Sequence, residues 1–368
     1  MSTGFYWDER TMWHAGGNYA FTVPLGGLVQ PLAAGGLPES PETKRRLKNL
    51  MDVTGLTRDL VVTSADPADH AQLLNVHPQS YLDAFKDLSD ANGGEIGHHA
   101  PFARGGYELA ALSAGLTTAA VEAVLKGERE NAYALARPPG HHCEAATPMG
   151  FCLMANIAIA IEAAKATRPD LRVAVLDWDV HHGNGTEAIF YERSDVLTIS
   201  LHQEGNYPLD TGHMSDRGAA DGAGANINVP LPAGTGHTAY LYAIDRIVTP
   251  AIEAFDPDLI IVACGFDAGA VDPLARMLAT ADTFREMTLK IKALAERICN
   301  GKLVLSHEGG YSEIYVPFCG HATLEALSGS KITAPDPMAR ALNNRQPGPR
   351  FNAFLHAEID HMAVELGY

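Results

Sequence analysis

Residues 176–186, LDWDVHHGNGT, join an apolar run to a cluster of polar side chains. The run, residues 172–176, has the length and composition of a buried strand. The polar residues that follow it within a span of six positions are Asp177, Asp179, His181 and His182. Carboxylate and imidazole groups are common ligands of divalent cations in proteins. The stretch therefore predicts a strand whose carboxyl end carries a metal-binding loop.

Similar runs recur along the chain and alternate with helical patterns. The runs that predict buried strands are residues 132–136, 172–176, 196–201, 259–264 and 303–306. The apolar spacing between them predicts helices at residues 105–126, 155–166, 238–254, 283–299 and 312–327. This order predicts an α/β fold with a mostly parallel central sheet and helices on both faces. Because no linker or internal repeat divides the 368 residues, we expect a single domain rather than two.

Polar residues follow each predicted strand where it ends. They are His141 and His142 after the first strand, residues 177–182 after the second, His202 after the third, Asp267 after the fourth and Tyr311 after the fifth. The carboxyl ends of parallel strands lie along one edge of a sheet, where ligands bind. Residues with only structural roles would be scattered over both edges. The convergence therefore predicts one functional site at the strand carboxyl ends.

Two carboxylates and one imidazole in this group suit a catalytic metal centre. Asp179 and His181 are two residues apart, so in an extended segment both side chains point to the same side. Asp267 would complete the set from a neighbouring strand, and three protein ligands leave a fourth position of zinc open for water. A site with two manganese or iron ions stays open. The additional candidate ligands for such a site are Asp177, His182 and His202.

The motifs around these residues resemble those of a known family. They are RPPGHHC, GFC, LDWDVHHGNGT, TISLHQ, GFDA followed by DPLARM, and HEGGY. They resemble, from about residue 5 to about residue 330, the histone deacetylase superfamily in its class II and bacterial histone deacetylase-like amidohydrolase branch. The resemblance implies an arginase-like α/β fold, with the active site at the strand carboxyl ends, and a zinc-dependent deacetylase with one Zn²⁺ per chain.

The resemblance also implies roles for particular residues. The zinc ligands would be Asp179, His181 and Asp267, and the catalytic residues would be His141, His142, Tyr311, Asp177 and Asn184. His142 would act as general base and later protonate the leaving amine, with His141 beside it. The Tyr311 hydroxyl would face the substrate carbonyl and help to hold the oxyanion. Asp177 would accept a hydrogen bond from His141, and Asn184 would accept one from His142.

Further positions match the family's ion and substrate sites. A structural K⁺ would lie near Asp177, Asp179 and His181, with the side-chain oxygen of Ser200 and the main-chain oxygen of Leu201 as ligands. Gly150 and Phe151 would form one wall of a narrow tunnel for an acyl-lysine-like chain. Tyr207 would form the opposite wall, where this branch usually has Phe, and Glu95 would be an acidic residue of the rim. The simpler interpretation of Glu95 is a solvated loop carboxylate.

Composition and charge limit the class of partner. The net charge of −17 opposes sequence-independent binding of nucleic acid and is compatible with a cationic substrate. Five cysteines without a CxxC pair indicate free thiols in a reducing cytoplasm. The first residues lack the pattern of a secretory signal, and no apolar run approaches about 20 residues, so no membrane span is expected. We therefore expect a cytoplasmic protein. The sequence leaves open whether it forms a homo-oligomer.

The ends of the chain carry fewer signals. We expect residues 1–368 to form one catalytic domain, with rim loops over about residues 1–40 and a C-terminal extension over about residues 331–368. The Gly/Pro-rich residues 26–41 could be mistaken for a linker. Because only a short piece precedes them, we interpret them as a loop near the mouth of the site.

The resemblance therefore implies an amidohydrolase that removes acetyl or another short acyl group from an amine on a flexible chain. The candidate substrates are acyl-lysine in proteins or peptides and acetylpolyamines. A ureohydrolase with two manganese ions would need further bridging aspartates, and after Asp267 the sequence offers only Asp272, which lies too far along. A non-catalytic acyl-group binder would have no need of tandem histidines and Tyr311.

Overall fold

The computed structural model describes residues 2–17, 19–24, 29 and 36–368. Most of the predicted mouth loop, residues 26–28 and 30–35, therefore lies outside the described residues. Within the described part of the chain, eight parallel strands form one sheet. They are β1 (Gly4–Tyr6), β2 (Val61–Thr63), β3 (Asn131–Ala134), β4 (Val173–Asp177), β5 (Val196–Gln203), β6 (Asn226–Leu231), β7 (Leu259–Cys264) and β8 (Leu303–His307). Their order across the sheet is β6, β5, β4, β7, β8, β3, β1, β2.

The strands at the centre of the sheet are apolar on both faces, as expected for a sheet that helices cover on both sides. β4 reads VAVLD and β7 reads LIIVAC, and every residue of both is buried. In β4, Ala174 and Leu176 contact one hydrophobic core, whereas Val173 and Val175 contact another. The sheet therefore separates two cores, and the predicted α/β fold is confirmed.

Helices fill both cores. They are α1 (Glu42–Thr54), α2 (His70–Leu74), α3 (Gln79–Ala91), α4 (Gly106–Leu125), α5 (Asn156–Lys165), α6 (Asn184–Phe190), α7 (His237–Ala243), α8 (Thr249–Phe255), α9 (Ala281–Ile298), α10 (Val316–Ser328), α11 (Ala339–Asn343) and α12 (Pro349–Leu366). Short antiparallel pairs, Tyr19–Ala20 with Val23–Pro24 and Gly93–Glu95 with Pro101–Ala103, lie outside the main sheet. Residues 331–368, expected only as an extension, form α11 and α12, and Leu355 and Ile359 reach the core.

The register of the central strands places their carboxyl ends level. Asp177 at the end of β4 pairs with Ser200 of β5 and with Ala263 of β7. Cys264 at the end of β7 pairs with His307 of β8. The loops that follow β4, β7 and β8 therefore leave the sheet side by side, which is the arrangement needed to bring their side chains together.

The structure differs from the sequence-based prediction in one helix and in three strands. The helix predicted over residues 238–254 is α7, a π-helix (Ile244–Val248) and α8 in succession. Pro250 lies in the first turn of α8 and has no N–H to donate, so a regular α-helical ladder cannot pass through it. The strands β1, β2 and β6 were not predicted, because they are short or carry polar residues.

One helix meets the length and composition of a membrane span, although the sequence predicted none. Gly106–Leu125 has a mean hydropathy of 1.4 over its most apolar window. That window is 72% buried inside the protein, and the helix packs on α5. Its apolar composition is therefore that of a core helix. Its length and hydropathy alone are weak evidence for a membrane segment.

Candidate active site

The loops after β4 and β7 bring two carboxylates against one imidazole. Nδ1 of His181 lies 3.1 Å from Oδ1 of Asp179 and 3.1 Å from Oδ2 of Asp267. One ligand atom from each of the three residues lies within 4.8 Å of the others, and all three side chains are buried. Asp179, His181 and Asp267 are called the Asp267 cluster below.

Backbone groups fix both carboxylates of the Asp267 cluster. The N–H of Gly309 donates to Oδ2 of Asp179 (2.7 Å), and the N–H of Val180 donates to Oδ1 of Asp267 (2.8 Å). A Cβ at Gly309 would collide with the carboxylates of Asp179 and Asp267. Glycine is therefore required here by close approach of the chain to the cluster.

The electrostatics of the Asp267 cluster suit a cation. Burial opposes the charged form of His181, yet Asp267 and Asp179 raise its pKa to about 10. Burial and the charge of Asp179 raise the pKa of Asp267 to about 6. The two carboxylates thus attract positive charge to Nδ1 of the ring. A metal ion that displaces the proton from Nδ1 would be satisfied by this donor set of two oxygens and one nitrogen.

The tandem histidines lie beside the Asp267 cluster. The ring centroids of His141 and His142 are 4.0 Å apart, and those of His142 and His181 are 5.9 Å apart. Nδ1 of His141 donates to Oδ2 of Asp177 (2.9 Å), and Nδ1 of His142 lies 2.8 Å from Oδ1 of Asn184. Because an amide oxygen only accepts, Nδ1 of His142 carries the proton, and its Nε2 is left as an acceptor.

The two histidines differ in charge preference. Burial opposes the charged form of His141, but Asp179 and Asp177 raise its pKa well above the usual value. Burial, and then the positive charges of His141 and His181, lower the pKa of His142 well below the usual value. His142 is therefore neutral and able to take a proton, whereas His141 favours the imidazolium form.

Tyr311 lies beside His181 of the Asp267 cluster and beside Phe151. Its ring centroid is 6.3 Å from that of His181 and 5.8 Å from that of Phe151. Burial, with the charges of Asp267 and Asp179, raises the pKa of Tyr311 well above 10. The phenol therefore stays protonated and can donate a hydrogen bond.

A cavity of about 220 Å³ leads to these groups. The residues that line it are Thr22, His99, His142, Gly150, Phe151, His181, Asn206, Tyr207, Leu274 and Tyr311. The Tyr207 ring stands edge-on to His142, with centroids 5.1 Å apart. Gly150, Phe151 and Tyr207, the expected tunnel residues, thus all reach the cavity. Its wall also includes Thr22, His99, Asn206 and Leu274, which sequence reasoning did not single out.

Glu95 does not line this cavity. It is exposed at the end of the Gly93–Glu95 strand, and its Oε2 accepts a hydrogen bond from the Tyr19 hydroxyl at 2.6 Å. Because that bond ties the Tyr19–Ala20 strand to the body of the protein, the structure gives Glu95 a role in holding the N-terminal hairpin. The substrate contact expected of Glu95 at the rim stays a prediction.

The remaining histidines after β4 and β5 lie outside the Asp267 cluster. His182 contacts Thr211 and Glu187, at 3.0 Å and 3.1 Å. The ring of His202 is held between Ser200 and the main-chain oxygen of Gly212, both at 3.0 Å. Ser200 and Leu201, the expected potassium ligands, are buried on β5 beside the end of β4.

Sequence reasoning assigned no site role to two buried carboxylates. Oε2 of Glu308 accepts from the N–H of Gly140 (2.7 Å) and of His141 (3.1 Å). Burial raises the pKa of Glu308 to about 7. Asp272 accepts from the N–H of Tyr311 at 2.7 Å, and burial raises its pKa to about 8. Both lie within motifs that were recognised, HEGGY and GFDAGAVDP. Neither has a local sequence pattern that would have marked it.

Comparison with known proteins identifies the family. The sequence profile of the histone deacetylase domain matches residues 37–327. The chain belongs to the histone deacetylase family.

Histone deacetylase relatives cover almost the whole chain. The sequence is 56% identical to a histone deacetylase-like amidohydrolase of Pseudomonas aeruginosa over 365 residues, which span 99% of this chain and 96% of that protein. It is 37% identical to a probable deacetylase of Archaeoglobus fulgidus over 303 residues, 81% of this chain and 84% of that protein. A crystal structure of the HDA15 HD domain superposes with a TM-score of 0.83 at 28% identity, covering 99% of this chain and 97% of that one.

These matches confirm the family and the fold expected from the sequence. Membership of the histone deacetylase family supports deacetylase or amidohydrolase activity, and therefore a hydrolase. The family also implies a metal cofactor and an acylated substrate.

Proposed function

We propose that this protein is a zinc-dependent amidohydrolase that removes acetyl or another short acyl group from acyl-lysine side chains. The observation that carries the proposal is the convergence of the Asp267 cluster, the tandem histidines and Tyr311 at the end of one cavity. An acyl amide that enters this cavity would meet an acceptor for a proton, a hydrogen-bond donor and a cation site together.

Asp179, His181 and Asp267 would hold the metal. When bound, Zn²⁺ supplies a Lewis acid and lowers the pKa of water to about 7. The buried residues His141, Cys152 and Glu308 also lie close enough to share an ion, but this group lacks the further aspartates that a two-manganese ureohydrolase site would need. Asp272, the further aspartate of this loop, uses both carboxylate oxygens for backbone N–H groups of Leu274 and Tyr311.

The chain's own groups would divide the work of hydrolysis. Nε2 of neutral His142 would take a proton from the attacking water and return it to the nitrogen of the leaving amine. The Tyr311 hydroxyl would donate to the carbonyl oxygen as it gains negative charge, and one such donor is typically worth about 3 kcal/mol. His141, charged and bonded to Asp177, would add positive charge close to the same centre.

The lining of the cavity favours acyl-lysine over acetylpolyamines. Phe151 and Tyr207 supply aromatic surface for a methylene chain. None of the described lining residues carries a carboxylate, and the residues outside the described ranges include no Asp or Glu. An acetylpolyamine carries a further ammonium group on the same chain, and burying that group without a partner is unfavourable.

Two further features belong to this proposal. A structural K⁺ would be held near Asp177, Asp179 and His181 by Ser200 and the main-chain oxygen of Leu201; the pairing of Asp177 with Ser200 at the end of β4 supports this proposal. The protein would act in the cytoplasm, where its five buried, unpaired cysteines stay reduced.

The test is a metal-analysed assay of the purified protein. We expect about one zinc per chain and faster turnover of acetyl-lysine peptides than of acetylputrescine, with activity lost to a chelator and restored by Zn²⁺. Full activity in the presence of the chelator would remove the metal from the proposal. Faster turnover of acetylputrescine would favour the polyamine alternative, two manganese ions per chain would favour a ureohydrolase, and peptide binding without turnover would favour a non-catalytic binder.

A further inference from the structure

Asp272 joins two loops that meet at the cavity. It lies in the loop after β7, five residues beyond Asp267, and is 8% exposed. Its Oδ1 accepts a hydrogen bond from the N–H of Leu274 at 2.9 Å, and its Oδ2 accepts one from the N–H of Tyr311 at 2.7 Å. Its own N–H donates to the carbonyl oxygen of Gly269 at 2.9 Å. Both oxygens of this carboxylate are therefore committed to backbone groups, one in each loop.

The hydrogen bond between the N–H of Tyr311 and Asp272 influences the position of the Tyr311 hydroxyl. Tyr311 follows Gly309 and Gly310, which have no side chains to anchor the backbone, and Gly310 has a positive φ of +125°. The hydroxyl lies at the far end of the ring, so a small rotation of this backbone moves it by a larger distance. The N–H of Tyr311 donates to Asp272, so this hydrogen bond holds the backbone from which the ring extends.

The hydrogen bond between the N–H of Leu274 and Asp272 influences the wall of the cavity. Leu274 lines the cavity, and its carbonyl oxygen accepts a hydrogen bond from Nδ2 of Asn206, another lining residue, at 3.2 Å. Tyr207, the next residue in the chain, forms the wall beside His142. Asp272 therefore connects the placement of the hydroxyl of Tyr311 to the placement of the wall that a substrate chain would pass.

We propose that Asp272 is a positioning residue, whose carboxylate sets the location of the Tyr311 hydroxyl relative to the cavity wall at Leu274. The proposal rests on the proposed function for the role of Tyr311. It assigns Asp272 no contact with the substrate and no role as a metal ligand.

The test uses Asp272→Asn in the full-length protein. An amide has one oxygen to accept and an NH₂ group that cannot accept, so one of the two N–H bonds is lost. We expect kcat on an acetyl-lysine peptide to fall roughly tenfold to a hundredfold, with a smaller change in KM and with zinc content unchanged. The matched control is Asp258→Asn, which removes a carboxylate that accepts from the N–H of Arg172, before the start of β4 at the opposite edge of the sheet. We expect the control to retain the wild-type kcat.

A double-substitution cycle separates positioning from a general loss of structure. In a Tyr311→Phe background the hydroxyl is absent, so adding Asp272→Asn should lower kcat by less than about twofold. Equal losses in both backgrounds would overturn the proposal, because Asp272 would then act by another route.

Hydrogen exchange at the Tyr311 amide supplies a readout that does not need activity. We expect exchange there to be faster in Asp272→Asn and unchanged in Asp258→Asn. An unchanged exchange rate in Asp272→Asn would also overturn the proposal. If the wild-type protein turns over no acylated amine, the proposed function fails, and the exchange rate still decides whether Asp272 holds Tyr311.

Discussion

The chain buries carboxylates in two kinds of surroundings. The pKa of Glu39 is lowered in one; in the other, the pKa of Asp267 is raised, while the neighbouring histidines lower that of Asp179. Glu39, Lys44 and Arg137, here called the Glu39 cluster, are at most 3% exposed. Oε1 of Glu39 accepts from Nζ of Lys44 at 2.9 Å, and its Oε2 lies 3.0 Å from Nη2 of Arg137. Burial alone would raise the pKa of Glu39, but Arg137 and Lys44 lower it to about 2.

Within the described ranges, no Lys or Arg contacts the carboxylates of the Asp267 cluster. Burial and Asp179 raise the pKa of Asp267 to about 6, and His181 is the only side chain that offers either carboxylate a proton within 3.5 Å among the described residues. In the Glu39 cluster, the positive charges of Lys44 and Arg137 compensate the carboxylate. In the Asp267 cluster, no Lys or Arg of the described residues compensates the two carboxylates, which lie beside a cavity.

Structural and functional buried carboxylates can be told apart by the groups that compensate their charge. Removing a carboxylate from water is unfavourable wherever it happens, and the chain must offset that cost or leave it to an ion from outside. A buried carboxylate already held by Arg and Lys has no further capacity for a ligand. One that is held only by backbone N–H groups and a titratable ring retains affinity for a cation.

The largest effect is expected from Asp267→Asn. The amide can still accept from the N–H of Val180, but it removes one of the two negative charges that would hold the metal. We expect zinc to be lost and turnover to fall by roughly a thousandfold or more, since metal polarisation contributes several kcal/mol. The unfolding free energy of the metal-free protein should be unchanged or higher, because a repulsion between carboxylates is removed. Metal analysis, a peptide assay and urea titration check these outcomes; retention of zinc and activity would contradict them.

His142→Ala tests which histidines belong to the cation site. Loss of a general base typically costs about 10²–10⁴ in rate, so turnover should fall within that range. Zinc should stay near one per chain, because the donor atoms of Asp179, His181 and Asp267 are intact. Parallel metal analysis and kinetics decide the matter. A variant that loses its zinc would show that His142 holds the ion rather than moving a proton.

Glu39→Gln should affect folding rather than metal binding. The substitution leaves Lys44 and Arg137 buried without a countercharge, which typically costs about 3–5 kcal/mol of unfolding free energy. Zinc content of the folded fraction should be unchanged. Lys44→Met is the matched control, because it leaves the contact between Glu39 and Arg137 and should cost less. If Glu39→Gln were as stable as the wild type, charge compensation would not describe this cluster.

Glu308→Gln tests a buried carboxylate that is held by backbone N–H groups and lies outside both clusters. Glu308 accepts backbone N–H groups and has no Arg or Lys partner, and its pKa is raised to about 7. Glutamine can still accept from Gly140 and His141, so the unfolding free energy should stay within about 1 kcal/mol of the wild type. Turnover should fall by about tenfold, because the positive charge on His141 loses a neighbour. A stability loss as large as that of Glu39→Gln would place Glu308 with the structural cluster.

The smallest effect is expected from Tyr207→Phe. The hydroxyl of Tyr207 is buried and has no hydrogen-bond partner within the described residues. Its removal should leave turnover of an acetyl-lysine peptide within about threefold and stability unchanged or slightly higher, since no bond is broken. Peptides with acetyl and longer acyl groups, compared by kcat/KM, provide the measurement. A loss of tenfold or more on one acyl group alone would assign the phenol a role in substrate selection.

Most of the site was predictable because its signals are local. A strand end followed by Asp or His is visible in a window of a few residues, and the edge rule for parallel sheets then brings distant strand ends together. Asp179, His181, Asp267 and the tandem histidines all follow that logic. The short strands β1, β2 and β6 could not be predicted in this way, because runs of three to six residues that include polar residues show too little periodicity.

The contacts that sequence reasoning did not predict join residues far apart along the chain. Asp272 meets the N–H of Tyr311, 39 residues away, and Glu308 meets that of Gly140, 168 residues away. Glu95 meets the Tyr19 hydroxyl across 76 residues. None of these partners leaves a spacing or a period in the sequence.

The α/β architecture, the histone deacetylase family and the set of side chains at the strand ends can all be inferred from the amino-acid order, because periodicity, strand termini and motif order are properties of short segments. Which carboxylates are compensated by Lys and Arg, and which are left to a cation, is visible in the folded chain alone. The pKa of a buried group depends on burial and on charges within a few ångström, and the packing of distant segments sets both.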